Sequence, residues 1–315
     1  MSDVVVVGSL SMDLTAQAER LPAVGETVLG TRFTMVPGGK GNNQAIAAAR
    51  QGVSTAMVGC LGDDAFSGPV RDLLAAAGVD TTHVGTLPYQ ASGVAHIMVD
   101  GSGRNIIIVV PLANGRLSPV EIAAAGPLLG SAGVVLTQLE IPLDAVAAAL
   151  ATAQSHRVRT ILNPAPAAAL DDEMLSLVDI CVPNEAEAAA LTGEDVSSLE
   201  GATRAARALL RRGCGGAVIT LGERGCLYAD RQRVLEVSSI QVDTVDTVAA
   251  GDAFCGALAA WLATGLAIEE ALARATAAGA LATTVPGATP ALPTWEATRE
   301  LLLRAGPPTV RERPG

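Results

Sequence analysis

Short runs of β-branched residues alternate with alanine-rich segments along most of the chain, and this alternation is the feature that most restricts the possible folds. A strand followed by a helix and another strand forms a crossover unit, and repeated units build a parallel sheet that helices cover on both faces. The predicted strands are Val4–Val7, Ala56–Cys60, Val134–Leu139, Val158–Leu162, Ile180–Val182 and Ala217–Leu221. The predicted helices between them are Asn43–Arg50, Pro69–Ala77, Leu143–Gln154 and Thr203–Arg212. The sequence therefore predicts a layered α/β fold.

Two segments interrupt this rhythm. Asp13–Val36 and Gly93–Val110 contain alternating polar and apolar residues around glycine turns, a pattern that is typical of antiparallel ribbons attached to a sheet. The last third of the chain instead predicts two long helices, Ala249–Thr264 and Ile268–Thr284.

One large domain is expected to account for nearly the whole sequence. Half of the 315 residues are apolar, which is enough for an extensive core, and no long linker divides the chain. We therefore expect a single domain over residues 1–305. The tail Gly306–Gly315 contains three prolines and several charged residues, and we expect it to be disordered.

The charge and the cysteine content exclude several classes of partner. With 21 basic and 32 acidic residues the formal net charge is −11, so no basic field attracts nucleic acid or an anionic membrane surface. Polar residues and glycines break the longer apolar stretches, which excludes membrane spans, and Met1–Val7 lacks the basic region of an export signal. Five cysteines without a C-x-x-C pair indicate neither a disulfide framework nor a zinc site. A reducing cytoplasm is the expected setting.

The segment Asp246–Phe254 carries the strongest sign of chemistry. Ala249, Ala250 and Gly251 precede an apolar helix and leave the amides of its first turn uncovered, where the helix dipole favours an anion such as a transferring phosphoryl group. Asp252, just inside that terminus, is suited to accept the proton of an attacking hydroxyl. The alternative is a plain helix start, because Thr and Asp are common N-terminal residues.

A second segment, Pro37–Gln44, also opens an alanine-rich helix. Its three glycines allow the backbone to approach a ligand closely, while Lys40, Asn42 and Asn43 supply hydrogen-bond donors suited to sugar hydroxyls. Lys40 is followed by Gly41 and not by Ser or Thr, so this is not a phosphate-binding loop of the G-x-x-x-x-G-K-[ST] type. The alternative is a glycine turn with an asparagine cap.

Polar residues also follow several predicted strands, whose carboxyl ends are where α/β proteins bind ligands. Asp13 and Glu140 each follow a strand and are suited to accept hydrogen bonds from sugar hydroxyls, although Glu140 equally fits a solvated loop acid. Asn184 and Glu187 fit both a helix capping box and a site near Mg²⁺ and phosphates. Thr220–Gly225 is either a hairpin turn or a loop along a nucleotide.

Taken in order, these segments resemble the ribokinase-like (PfkB) family of carbohydrate kinases. The resemblance extends to about Pro293 and rests on two signatures, Gly38–Gln44 and Asp246–Phe254. It implies a Rossmann-like three-layer α/β/α domain with a small β-sheet lid over residues 12–36 and 93–110. It also implies transfer of the γ-phosphoryl group of ATP to the primary hydroxyl of a pentose, D-ribose first, with Mg²⁺, a monovalent cation such as K⁺, and a homodimer through the lid.

The resemblance also implies roles for individual residues. The sugar is expected to contact Ser11, Asp13, Gly39, Lys40, Asn43, Glu140 and Asp252. The phosphoryl site is expected to use Asp252 as base and the amides near Ala249, Ala250 and Gly251. The nucleotide is expected to contact Asn184, Glu187, Thr220, Gly222, Glu223, Gly225, Gly251 and Thr276. The monovalent cation is expected at Asp246, Val248, Val285, Gly287 and Ala291.

Three departures from the family pattern bear on the substrate and the cation. Ser11 stands where the family usually has asparagine, Leu112 where it usually has glycine, and Ala291 where it often has serine. The first two weaken the expectation of ribose, so another sugar or a nucleoside stays open, as does a sugar-binding protein without catalysis. A dinucleotide-binding oxidoreductase is excluded because Gly8–Ser11 is not G-x-G-x-x-G.

Overall fold

The computed structural model describes residues 2–313, which form a large sheet, a small sheet and the helices that cover them. The strands are β1 (Val4–Val7), β2 (Ser11–Ala18), β3 (Gly30–Gly38), β4 (Thr55–Gly62), β5 (Val79–Leu87), β6 (Gly93–Val99), β7 (Asn105–Val110), β8 (Val134–Thr137), β9 (Arg159–Leu162), β10 (Ile180–Cys181), β11 (Gly216–Thr220), β12 (Cys226–Ala229), β13 (Val234–Val237) and β14 (Val310–Arg313). The α-helices are α1 (Lys40–Arg50), α2 (Ser67–Ala76), α3 (Pro119–Ala124), α4 (Gly126–Leu129), α5 (Leu143–Ser155), α6 (Asp172–Ser176), α7 (Glu185–Thr192), α8 (Leu199–Arg211), α9 (Ala250–Ala263), α10 (Ile268–Ala282) and α11 (Trp295–Ala305). The predicted alternation thus builds a Rossmann-like three-layer α/β/α domain.

The large sheet sets the position of the candidate site. Its strand order is β14-β13-β12-β11-β10-β9-β8-β1-β4-β5. From β11 to β5 the neighbouring strands pair in parallel, whereas β12, β13 and β14 pair antiparallel at one edge. The parallel strands therefore all end at the same side of the sheet, where loops from distant parts of the chain meet.

Two hydrophobic cores lie on opposite faces of the large sheet. Because successive strand residues point to opposite faces, Val4 and Val6 pack in one core with α1, α9 and α10, whereas Val5 and Val7 pack in the other with α5 and α8. Helix α9 is buried along almost its whole length. Even so, no helix within residues 2–313 combines the length and the apolar character needed to cross a bilayer.

The small sheet is built from the two segments that interrupt the α/β rhythm. Its strand order is β3-β2-β6-β7, and the parallel pair of β2 and β6 joins the two ribbons. All six residues of β7 are exposed, including the apolar run Ile106–Val110. The small sheet therefore presents apolar side chains to solvent, which is unusual for a surface that nothing covers.

The predicted strands of the large sheet and the helices between them are confirmed, with ends that differ by a few residues. The prediction of a disordered tail was wrong. Val310–Arg313 forms β14, which pairs antiparallel with β13, and Arg313 forms ion pairs with Glu200 and Glu236. Edge strand β13 offers a row of backbone donors and acceptors, and the tail satisfies them. Residues 314 and 315, at the end of the predicted tail, lie outside the described residues.

Candidate active site

Helix α9 begins in a strained turn that leaves its first amides free. Ala249 precedes the helix in a left-handed conformation with φ of 59°, which costs a non-glycine residue about 1–2 kcal/mol. No side chain caps this helix end, and the amides of Gly251 and Asp252 have no acceptor among the described residues. The space beside Gly251 is open, since a Cβ there would meet nothing within 4 Å. The helix start therefore presents two amide donors and the positive end of its dipole to an incoming anion.

Asp252 is held in the first turn of α9 by two side-chain amides. Asn43 Nδ2 donates to Oδ2 across 3.0 Å, and Gln44 Nε2 donates to Oδ1 across 2.9 Å. Both donors lie on α1. This helix can approach α9 closely because Gly256 has no side chain; a Cβ there would lie only 2.6 Å from the carbonyl oxygen of Gln44. Each carboxylate oxygen has two lone pairs, so one on each oxygen stays available for a substrate hydroxyl.

Gln44 extends this contact into a buried network of amides. Its Nε2 also donates to Asn163 Oδ1 across 3.0 Å, and its Oε1 accepts from Gln138 Nε2 across 2.7 Å. Asn163 in turn donates to the carbonyl oxygen of Val182 across 2.8 Å. Gln44 and Gln138 are both fully buried. The network ties Gln44, which contacts the Asp252 carboxylate, to the ends of β8, β9 and β10. Asp252 is therefore fixed relative to the parallel sheet.

The glycines around the start of α1 allow this segment to pack directly against the connection between β1 and β2 and against β2 itself. A Cβ at Gly38 would lie 2.3 Å from the Asp13 carboxylate, and a Cβ at Gly41 would lie 2.6 Å from the amide of Ser9. Gly39 precedes α1 with φ of 94°, a conformation that glycine adopts without strain. A larger residue would push the first turn of α1 away from Asp13 at position 38, and away from Ser9 at positions 39 and 41.

Glu140 anchors the start of α1 to the loop after β1. Its Oε2 accepts hydrogen bonds from the amide of Lys40 across 3.0 Å and from the hydroxyl of Ser9. The side chain is half-buried, so this loop acid is partly solvated and also holds two elements of the site together. Ser11, also buried, donates from its hydroxyl to Asp13 Oδ1 across 3.4 Å. The two predicted sugar-binding acids thus flank the glycine-rich segment from different strands.

The electrostatics of the site are dominated by carboxylates. Burial raises the pKa of Asp13 to about 6, and the carboxylates of Glu140 and Asp252 add to the rise, although a neighbouring serine hydroxyl opposes it. Lys40 is the only lysine in the sequence. Burial lowers its pKa, but the charges of Asp252, Glu140 and Glu187 outweigh this effect and raise the pKa overall. One ammonium group therefore faces several carboxylates. Because negative charge is in excess, the site favours an anionic substrate only when cations bind together with it.

A cavity of about 210 Å³ lies between Lys40, the start of α9 and the loops after β10 and β11. Its walls include predicted residues from both the sugar and the nucleotide sets: Lys40, Asn184, Glu187, Thr220, Ala249, Gly251 and Asp252. Ser11, Asp13 and Glu140 lie beside it on the sugar side and do not form its walls. The cavity therefore joins the end of the glycine-rich segment to the free amides of α9.

Asn184 and Glu187 form the capping box that the sequence allowed. The amide of Asn184 donates to Glu187 Oε2 and the amide of Glu187 donates to Asn184 Oδ1, each across 2.9 Å. Both residues also line the cavity, and burial is the main cause of the raised pKa of Glu187. Capping and ligand binding are thus compatible at this pair.

The segment Thr220–Gly225 is the turn of a hairpin between β11 and β12. Gly222 and Gly225 both have positive φ, and Glu223 between them is exposed. Thr220 alone among these residues lines the cavity. Thr276 is placed elsewhere: it is buried in the core, with its hydroxyl 3.7 Å from Cys226 Sγ, and it does not line the cavity.

Two residues predicted for the monovalent cation, Val248 and Gly287, are joined by the carboxylate of a third, Asp246. Asp246 Oδ1 accepts from the amide of Val248 across 3.0 Å, and its Oδ2 accepts from the amide of Gly287 across 2.8 Å. Val285 and Ala291 belong to the same pair of loops. Within residues 2–313 no group of three or more His, Cys, Asp or Glu side chains is arranged to hold a metal.

The comparisons with known proteins agree with this geometry. A model of the family described as pfkB family carbohydrate kinase matches residues 1–295. The chain belongs to that family. It is a phosphotransferase that acts on an alcohol group and uses ATP.

Members of the family resemble the chain over nearly its full length. It is 36% identical to the ribokinase of Haemophilus influenzae, covering 95% of this chain and 98% of the relative. It is 35% identical to the deoxyribokinase of Salmonella typhi over 95% of this chain and 98% of the relative. The solved structure of Arabidopsis thaliana ribokinase complexed with ribose and ATP superposes with a TM-score of 0.91 at 31% identity, covering 96% and 98% of the two chains. The fold expectation is thereby confirmed.

Sequence reasoning missed two residues of this pfkB-family site. Gln44 is the last residue of the glycine-rich segment, and its contacts with Asp252 and with Asn163 follow from no local sequence pattern. The available signal was the position of Asn163 directly after strand β9, where the carboxyl ends of parallel strands meet. Its contact with Gln44 depends on how α1 packs on the sheet, which no local pattern specifies.

Proposed function

We propose that this protein transfers the γ-phosphoryl group of ATP to the primary hydroxyl of D-ribose, giving ribose 5-phosphate. The observation that carries the proposal is the position of Asp252, which lies in the first turn of α9 beside two free amides and within hydrogen-bond distance of Asn43. The substrate hydroxyl gives its proton to Asp252 while its oxygen bonds to the γ-phosphorus. The bond from that phosphorus to the bridging oxygen breaks, and ADP leaves.

The sugar is proposed to lie between the glycine-rich segment and the loop after β1. Asp13 and Glu140 supply acceptors for hydroxyl groups, while Lys40 and Asn43 supply donors. Because these groups come from three separate elements, a sugar that bridges them would be held with its primary hydroxyl toward Asp252. Such positioning is the main contribution that a protein makes to phosphoryl transfer.

Mg²⁺ is proposed to accompany the nucleotide. The site holds one ammonium group, Lys40, against the carboxylates of Asp252, Glu140 and Glu187, so a nucleoside triphosphate would add negative charge to an already acidic cavity. A divalent cation bound to the phosphates would offset that charge, and Glu187 at the cavity wall would hold it directly or through water. Activity should therefore vanish when Mg²⁺ is removed with EDTA and return when Mg²⁺ is added.

A monovalent cation is proposed at the loops around Asp246. The carboxylate fixes Val248 and Gly287 by hydrogen bonds, so their carbonyls and the preceding turn of α9 are held in one arrangement. A bound K⁺ would support the free amides at the start of α9. Because Ala291 provides no side-chain oxygen, we expect a weak requirement for K⁺. Assays in K⁺, Na⁺ and a large organic cation at equal ionic strength measure it.

A second candidate substrate is 2-deoxyribose. Deoxyribokinase of Salmonella typhi is about as similar to the chain as a ribokinase is, at 35% against 36% identity. The short side chain of Ser11 also reaches less far toward a sugar hydroxyl than the asparagine usual in the family. A sugar that lacks one hydroxyl would leave fewer of its own hydroxyl groups without a hydrogen-bond partner in such a pocket.

A substrate panel distinguishes these candidates. Release of ADP would be measured by a coupled assay with ribose, 2-deoxyribose, other pentoses, hexoses and nucleosides. We expect ribose to give the highest kcat/KM. A higher value for another sugar would contradict the ribose assignment and leave the kinase assignment intact. If no sugar or nucleoside supports ADP release and ribose still binds, the protein is a binding protein without catalysis.

A homodimer through the small sheet is also proposed. Ile106 and Ile108 on β7 and Phe33 and Met35 on β3 are exposed and stand in register on one face of this sheet. Burying such a surface against a second copy would remove apolar area from water. Light scattering after size exclusion should give a dimer mass, and Ile108→Lys, on the face that carries Met35, should give a monomer. A monomeric wild type would contradict the proposal.

We propose a cytoplasmic setting for the reaction. The reaction consumes ATP, and all five cysteines are buried free thiols. A reducing compartment keeps such thiols unpaired. Fractionation of the source cells should recover the activity with cytosolic enzymes, and recovery with an extracellular fraction would contradict this assignment.

A further inference from the structure

A second, larger cavity lies at the opposite side of the sheet from the candidate active site. It occupies about 890 Å³ where the parallel strands β9, β10 and β11 begin. The turn before β9, with Arg157 and Arg159, forms one wall, and the link between α9 and α10, from Leu262 to Ile268, forms the other. None of its residues has a role in the proposed sugar or nucleotide site.

Two guanidinium groups in this cavity lack a carboxylate partner. Neither Arg157 nor Arg159 forms an ion pair within residues 2–313, and the one contact of Arg159 is to the carbonyl oxygen of Leu262 at 3.5 Å. Arg157 has a positive φ of 60°, a strained backbone for a non-glycine residue. In a chain with a net charge of −11, two unpaired arginines in one cavity are a marked concentration of positive charge.

Two acids near the cavity, Asp179 and Glu269, already accept hydrogen bonds, and Asp179 keeps its negative charge. Asp179 lines the same space, but its Oδ2 accepts from the amide of Thr160 across 2.8 Å and from the hydroxyl of the same residue across 3.2 Å. Glu269, at the start of α10, accepts from Arg233 across 2.5 Å. Helix α10 begins at this wall with no side-chain cap, so its first amides face the cavity, while Glu269 and Glu270 in its first turn offset the positive end of its dipole.

The remaining lining combines apolar side chains with Gln154 and Tyr228, and the volume is large. Val158, Ile180, Leu262, Leu266 and Ile268 contribute side chains to the walls. A cavity of about 890 Å³ lies within the range of small-molecule sites and far exceeds the space that a single inorganic anion fills. The lining therefore suits a ligand with a dianionic group at one end and an organic body at the other.

We propose that this cavity binds a small phosphomonoester, with its phosphate between Arg157 and Arg159 and its organic body against the link between α9 and α10. The phosphate accepts charge-assisted hydrogen bonds from both guanidinium groups. The occupied site lies against the far end of the helix whose first turn carries Asp252. This binding site is additional to the proposed kinase function and does not depend on turnover.

The two tryptophans of the chain provide a direct signal for occupancy. Trp261 precedes the cavity residue Leu262 on α9, and Trp295 packs against it edge to face with ring centroids 4.6 Å apart. Arg274 lies over both rings, at 4.3 and 4.8 Å from their centroids. A ligand that displaces water beside Leu262 or shifts the end of α9 should change the emission of this cluster.

The test titrates protein whose active site is already saturated with ribose and a non-hydrolysable ATP analogue. Ribose 5-phosphate, AMP and inorganic phosphate are added separately while tryptophan emission is recorded. We expect a saturable change with at least one phosphomonoester, and an affinity for it that the double variant Arg157→Gln/Arg159→Gln lowers by about tenfold or more, as loss of charge-assisted hydrogen bonds requires. Arg157→Asn, which suits the left-handed backbone, should weaken binding in the same direction and serves if the double variant does not fold.

A matched double variant separates a specific site from a general charge effect. Arg207→Gln/Arg211→Gln removes two positive charges from the end of α8, outside this cavity, and should leave the affinity unchanged. Equal weakening by both double variants would overturn the proposal, as would the absence of a saturable change in wild type. Equal affinity for inorganic phosphate and for the phosphomonoesters would overturn the assignment of an organic body.

Discussion

Gln44 and Asp252, which lie 208 residues apart in the chain, are joined by a hydrogen bond of 2.9 Å from Nε2 to Oδ1. The same amide nitrogen donates to Asn163, and the amide oxygen accepts from Gln138. All hydrogen-bonding groups of the Gln44 side chain are therefore used, and its orientation is fixed. The base that the proposed reaction needs is thus oriented by a residue that does not itself touch the substrate.

The first prediction concerns this positioning contact. Gln44→Leu removes the donor to Asp252 at nearly constant volume, and we expect kcat to fall by roughly tenfold or more, since a hydrogen bond to a charged group contributes about 1.5–3 kcal/mol. KM for the sugar should change less, because Gln44 lies behind the carboxylate. Steady-state kinetics measure both values.

Gln44→Glu provides the control for a merely structural role. A carboxylate at this position would repel the charge of Asp252 and raise the pKa of the pair, so the acidic limb of the kcat profile should move to higher pH. A loss of activity with an unchanged pH profile would mean that Gln44 contributes packing only.

The second prediction concerns the base itself. Asp252→Asn keeps the shape of the side chain but removes its ability to take a proton, so turnover should fall by about 10²–10⁴-fold. One of the amides of Asn43 and Gln44 also loses its acceptor in this variant. Equilibrium binding of ATP, measured by calorimetry, should stay close to that of wild type. Near-normal turnover would show that another group accepts the proton.

The third prediction concerns the pH dependence of sugar binding. The pKa of Asp13 is raised to about 6, chiefly by burial, and its ionised form is the better acceptor for sugar hydroxyls. KM for the sugar should be constant above pH 7 and rise by about tenfold per pH unit well below pH 6. In Asp13→Asn the KM should be high at every pH, with this dependence lost. A wild-type KM that stays flat down to pH 5 would contradict the role of Asp13.

The same shift predicts a cost in stability. The pKa rises from 3.8 to about 6 on folding, so the folded state holds the proton more tightly, and stability falls as the pH rises between these two values. Asp13→Asn should therefore be more stable than wild type at pH 7.5, by up to roughly 2–3 kcal/mol, and the difference should shrink near pH 4. Thermal unfolding at both pH values measures it, and a less stable variant at pH 7.5 would contradict the raised pKa.

The fourth prediction concerns strand β14. A chain that ends at Gly306 loses the pairing with β13 and the burial of Val310 against the core, so Tm should fall by about 3–6 °C. The exposed edge of β13 should also promote association between copies. Arg311→Gln changes an exposed residue of the same strand and should leave Tm unaltered. An unchanged Tm in the truncated chain would mean that β14 contributes no stability.

How far the sequence predicts this molecule depends on the range of each interaction. The runs Val4–Val7 and Val134–Leu139 predict strands because the strand preference of β-branched residues is a local property of the chain. Asp252 is recognisable because the residue preferences at the start of a helix are also local. The bond from Gln44 to Asp252 depends on the packing of α1 against α9, which the sequence specifies only through the whole fold. The strand at Val310–Arg313 exists because β13 has an unpaired edge, a property of the finished sheet. The contact of Thr276 with Cys226 likewise joins two separate elements and depends on the packing of the whole fold.

The single lysine of this chain has a practical consequence. Of the 21 basic residues 20 are arginines, and Lys40 lines the cavity beside Asp252. Reagents that acylate side-chain amines therefore have one lysine target, at the place where the substrates are expected to meet. Coupling the protein to a sensor chip or a dye through lysine would proceed at the expense of its activity, whereas thiol or tag chemistry would leave the cavity untouched.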